Sequence, residues 1–188
     1  MQFSPALYGP AVASLLELDG NGERLMPLAS GCCSSPEALT KLRTIAPAIL
    51  FPNSRAPEAA MAGLYLYFSC LDQAHEIAQS IHSGEGAYWH GVVHRREPDP
   101  SNARYWFQQV PSHPIFPELA RSAAGIEARF PQLQVSLSGR WDPIRFVAIC
   151  EEARRQPDSP LCRMALELQR AEWQLMFHYC ASVESEAL

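Results

Sequence analysis

Apolar positions along the chain recur at helical rather than strand spacing. The runs open on a repeated device: a small polar residue, then proline, then an apolar-periodic segment. Proline suits the first helical position, where its missing N–H has no partner anyway. A preceding Ser or Asp caps the free amides. Ser35-Pro36, Asp99-Pro100, Asp142-Pro143 and Ser159-Pro160 fit the device, while Pro57 and Pro117 open runs without a capping residue before them. These signals predict helices over 36–45, 57–82, 87–97, 100–109, 117–129, 143–156 and 160–182. Ala11 to Leu18 is a further candidate, stopped by the turn cluster Asp19-Gly20-Asn21-Gly22. Leu133 to Leu137 alternates apolar and polar; with no partner strand, it reads as an extended connector. No repeat or long linker divides the chain. The expectation is one all-α domain over residues 1–188, an orthogonal or antiparallel bundle of about seven helices.

Two helices look central. In the 57–82 segment, Leu64, Phe68, Leu71 and Ala78 form one apolar stripe, and Tyr67, Cys70, Ala74, Ile77 and Ile81 a second beside it. In the last helix Met164, Leu168, Leu175 and Tyr179 line up, widened by Trp173, Met176 and Phe177. Helices apolar over so much of their circumference are covered from several sides.

Composition narrows the function. The apolar share of 47% supports a sizeable core, so no covalent staples are needed. A net charge of -5, from 15 basic and 20 acidic residues, argues against a nucleic-acid binder and a polybasic membrane anchor. No apolar stretch approaches membrane-spanning length, and no basic-then-apolar leader opens the chain. Charged residues are only 19%, so exposed apolar patches and a homodimer are expected. The six cysteines form no CxxC pair, and a reducing cytoplasm is the expected setting.

Candidate chemistry concentrates between His75 and Trp106. His75 continues the Leu71 and Ala78 stripe toward the interior, and Ser83-Gly84-Glu85-Gly86 then breaks the helix. The next helix presents His90 and His94 at i and i+4, on one face. Glu97 joins that face. A short loop makes the two helices antiparallel neighbours. At about 1.5 Å per residue, His75 stands level with His94, and His90 one turn nearer the loop. Three imidazoles and a carboxylate so placed suit a divalent transition metal: zinc, iron, manganese or nickel. His75, His90 and His94 are then the metal ligands, and Glu97 a fourth ligand or general base.

A metal-free reading stands beside this one. His/His pairs at this spacing arise by chance, and the Glu that follows the first His of a zincin motif is absent. His94, Arg95, Arg96, Glu97 and Asp99 can instead pair among themselves and with Asn102 and Tyr105, organising the helices. A third reading takes Arg95, Arg96, Asn102 and Tyr105 as the lining of a small-molecule or anion pocket, with arginine holding a carboxylate or phosphate. Arg95 and Arg96 point away from the histidine face, with Glu97 or Asp99 within local reach. Trp89, Tyr105 and Trp106 read as packing groups, His178 as a core residue, His113 as surface and His82 as a helix-end residue.

The string HGVVHRREPDPSNARYWF resembles a motif of a helical protein family of bacteria and fungi, which carries similar H-x-x-x-H-R-R-E, D-x-x-N-A and Y-W-F elements. LDQAHEIAQSI is also similar to that family's sequence. The likeness covers about forty residues and brings no assigned activity; it implies that this segment defines the family. More loosely, the three histidines resemble those of DinB-like bundles, which hold metal through three histidines, two in HxxxH. Here the third histidine precedes the pair by only fifteen residues. The functional expectation is a metal-dependent, hydrolase-like protein, with a non-enzymatic interaction or anion-binding module as its alternative.

Overall fold

The computed structural model describes residues 3–137 and 139–183. Ten α-helices lie among them: α1 (Pro10–Glu17), α2 (Pro36–Leu42), α3 (Pro47–Leu50), α4 (Pro57–Tyr67), α5 (Leu71–Ser80), α6 (Gly84–Arg96), α7 (Pro100–Gln108), α8 (Phe116–Glu127), α9 (Pro143–Arg154) and α10 (Pro160–Ala181). Short 3-10 turns cover Pro5–Tyr8 and Gly20–Gly22. The single extended pairing among the described residues is an isolated bridge between Ser54 and Val183. Leu133 to Leu137 forms no strand, as the extended-connector reading requires.

The all-helical expectation holds; the count of about seven and the orthogonal layout do not match in detail. One helix, α3, carried no signal beyond its opening proline. The predicted 57–82 helix is two. It breaks at Phe68-Ser69-Cys70, where Ser69 takes φ 59°, a left-handed conformation that neither glycine nor proline announces. Tertiary bonds impose the break. The Ser34 amide donates to the Phe68 carbonyl at 2.7 Å, and Arg96 donates to the Leu66 carbonyl at 2.6 Å and to Ser69 Oγ at 2.9 Å. The expected break before the next helix is present, but it falls at 81–83, and the glycines assigned to it form the first turn of α6. At Gly86 an added Cβ would lie 2.3 Å from the Ile81 carbonyl oxygen, so glycine lets the chain fold back tightly between α5 and α6.

One contiguous cluster of buried apolar side chains runs from Phe3 to Cys180. Helix α4 is buried from Ala59 to Tyr67, and α10 packs Trp173, Met176 and Phe177 against it, with the Trp173 indole donating to the Gly63 carbonyl at 2.7 Å. Helix α6 is buried from Gly86 to Arg96 although it carries two histidines and two arginines. Polar groups so placed require internal partners. Their distribution on two faces of α6 organises the centre of the molecule.

Cysteine spacing predicts no pairing, and the structure adds one: Cys33 and Cys70 form a disulfide with Cα atoms 4.7 Å apart. It joins the irregular segment before α2 to the residue that opens α5. Cys32 is exposed and free, whereas Cys150, Cys162 and Cys180 are buried and free.

Candidate metal centre

Helix α5 supplies His75; α6 supplies His90 and His94. Their rings form a nearly equilateral triangle, with centroids 4.6 Å apart for His75 and His90, 5.0 Å for His75 and His94, and 4.8 Å for His90 and His94. His75 therefore sits between the two levels on α6 rather than opposite His94 alone. One nitrogen from each ring lies within 4.8 Å of the others. Tetrahedral ligands at zinc–nitrogen bonds of about 2.0–2.1 Å stand roughly 3.4 Å apart, so small side-chain rotations close the set. His90 and His94 are 4% and 8% exposed, while the His75 side chain is one-third open to solvent.

Both ring nitrogens of His90 are buried and lack a hydrogen-bond partner. A buried polar atom without a partner costs about 1–3 kcal/mol, and an ion bound at one nitrogen removes that deficit there. Burial, then the neighbouring His94 and His75 rings, hold the His90 pKa down at about 4. Burial also lowers that of His94, against the opposing pull of Glu97. Imidazoles held neutral are in the protonation state that binds metal.

Glu97 is the residue just past the end of α6. Its Oε2 lies 2.9 Å from His94 Nδ1, and its Oε1 lies 3.8 Å from His75 Nδ1. A carboxylate beside a ligand imidazole can orient it and raise its basicity. Glu97 thus lies next to two of the three imidazoles. The indole of Trp106, on α7, stacks on His90 at 4.0 Å between centroids. The close approach of α7 uses Gly91, where an added Cβ would lie 2.8 Å from the Phe107 ring.

The other sequence candidates lie elsewhere. Arg95 and Arg96 do face away from the histidines, but neither pairs with Glu97 or Asp99. Arg95, fully buried, grips the buried Glu172 of α10 through both terminal nitrogens, and its guanidinium stacks on Phe146 at 4.5 Å. Tyr88 donates to the same carboxylate at 2.7 Å, and Gln169 accepts from Arg95. Burial pulls the Arg95 pKa down, but Glu172 together with Cys150 and Tyr88 leaves the guanidinium pKa raised. Arg96 also donates to the Pro27 carbonyl at 3.1 Å, beside its bonds to Leu66 and Ser69. These arginines are committed to internal acceptors and closed to solvent. Asn102 is exposed and bonds Asp99, whose side chain caps α7. Tyr105 is 54% exposed and packs edge-on against Trp106 at the margin of the histidine group.

Sequence reading missed several partners. His113, expected at the surface, is 8% exposed; its Nε2 lies 3.8 Å from Glu85 in the first turn of α6. A histidine flanked by Ser112 and Pro114 gives no hint of that acid, 28 positions away. His178 bonds Tyr8 and Ser182, and His82 is exposed beyond α5. No helix among the described residues is long and apolar enough to cross a membrane.

No family model, curated protein or solved structure matches the chain. The functional reading therefore rests on the site itself.

Proposed function

We propose that this protein binds a divalent transition metal (zinc, iron or manganese) through His75, His90 and His94, and uses it in hydrolase-like chemistry. The observation that carries this is the His90 ring, buried with both nitrogens unpartnered beside two further imidazoles. Three imidazole ligands leave a coordination position for water or substrate, as in catalytic rather than structural zinc sites. A metal there lowers the pKa of its water and polarises a bound carbonyl or phosphoryl oxygen. The Glu97 carboxylate, 2.9 Å from His94 Nδ1 and 3.8 Å from His75 Nδ1, is placed to steady these rings and to accept a proton. His75 forms the solvent-facing edge by which an ion or small substrate enters.

Elemental analysis of purified protein tests this. Stoichiometric metal in the wild type, lost in His90→Ala and His94→Ala with the helical fold retained, supports it. A metal-free protein whose melting temperature ignores chelators and added zinc, iron or manganese overturns it. The second reading, a metal-free helical interaction module, draws on the stacking of His90 under Trp106 and the His94–Glu97 pair, both of which exist without an ion. It gains if the histidine variants lose stability while the wild-type protein binds no metal.

A further inference from the structure

Two of the three imidazoles share α6, so the geometry of the set depends on where α5 holds His75. Helix α5 packs against α4 and α6 through buried Leu71, Ala74 and Ala78 and half-buried Ile77. Its start is set by the turn at Phe68-Ser69-Cys70. Up to Ser69 that turn is held by Arg96 and by the Ser34 amide. On the α5 side of the turn, the Cys70 amide donates to the Tyr65 carbonyl at 2.9 Å, and the Cys70 sulfur, 3% exposed, is bonded to Cys33. Cys70 directly precedes α5 and lies five positions before His75. Cys33 belongs to a stretch without regular structure, tied to the turn by this bond and by the adjacent Ser34 amide.

We infer that the Cys33–Cys70 disulfide is a redox latch on the metal site: oxidised, it seats α5 with His75 in the ligand set, and reduced, it lets the start of α5 move and lowers metal affinity. The inference rests on the metal reading above and adds its regulation. Opening the latch is a two-electron step. A dithiol reductant attacks one sulfur as thiolate, and its second thiol displaces the mixed disulfide. Cys33 and Cys70 take up the two electrons and two protons as thiols, and the reductant leaves as a cyclic disulfide. Bridges in reducing compartments are commonly of this switching kind.

The test is a zinc titration, against a chromophoric chelator, of the full chain oxidised and of the same chain reduced with dithiol and desalted without air. The expected result is a Kd at least about tenfold weaker after reduction, the loss typical of a disturbed ligand environment. Reoxidation restores the tighter value. Cys33→Ser binds as the reduced wild type does and ignores reductant, whereas Cys32→Ser keeps the full redox response. Hydrogen exchange on the metal-free protein gives an independent readout: amides of α5 exchange faster after reduction, those of α6 do not. Zinc binding of equal affinity in both redox states overturns the latch and leaves the metal site standing. No zinc binding in either state overturns both.

Discussion

Trp106 lies flat on His90, their ring centroids 4.0 Å apart and their planes inclined by 22°. The contact exists because Gly91, the neighbour of His90, has no side chain to hold α7 away. Gly91→Ala is expected to lower stability by about 1–3 kcal/mol, since an added methyl forces the Phe107 ring aside in a filled core. Helix propensity alone would favour alanine by about 1 kcal/mol. Urea denaturation therefore decides between the two effects by sign.

Glu97 lies beside two of the three rings, at His94 Nδ1 and near His75 Nδ1. Glu97→Gln is expected to weaken zinc binding by about 10–100-fold, the usual loss when a carboxylate behind a ligand histidine is removed. Thermal stability of the metal-free protein changes little, because the pair is partly exposed. Zinc titration beside a thermal melt separates the two effects.

The buried pair of Arg95 and Glu172 is the strongest charge contact linking α6 to α10. Glu172→Ala strands a guanidinium in the core and is expected to cost about 3–5 kcal/mol. Replacing both residues with apolar ones of similar volume recovers most of that loss. Denaturant midpoints of the single and double variants read this directly.

Acid should destabilise the metal-free protein in two windows. The unfolded chain protonates His90 near its ordinary 6.5, but the folded chain holds out to about 4, because burial and the two neighbouring rings oppose the charge. The unfolded state binds more protons in between, so stability falls as pH drops through that interval. Glu85 acts in the same direction, in a lower window. The adjacent His113 ring holds its carboxyl at about 2, below the ordinary 4.5. Its contribution is present above 4.5 and disappears as pH falls toward 2. Melting temperatures across pH 2–8 are expected to decline in both windows, and His90→Gln to flatten the upper one.

Local signals were legible where local physics decides. Ser35, Asp99, Asp142 and Ser159 each cap the helix that the following proline opens, with side-chain bonds to Ala38, Asn102, Ile144 and Cys162. The meeting of His75 with His90 and His94 was also legible, because a short connection between two helices fixes heights by residue counting. Other features depend on residues far apart in sequence. The break at Ser69 is enforced by Ser34 and Arg96, and Arg95 finds its partner 77 positions away. The bond between Cys33 and Cys70 spans 37 positions, and spacing gave no sign of it. Arginines beside two nearby acids suggested local pairs; burial of the whole of α6 directed them to more distant acceptors instead.

The two faces of α6 have a kinetic corollary. A rod locked by arginines on one side offers its imidazoles on the other already in place, so an arriving ion meets a half-built cage. The reorganisation left to perform falls on one side chain at the wet edge. Capture should accordingly be quick, and release governed by how readily His75 swings out.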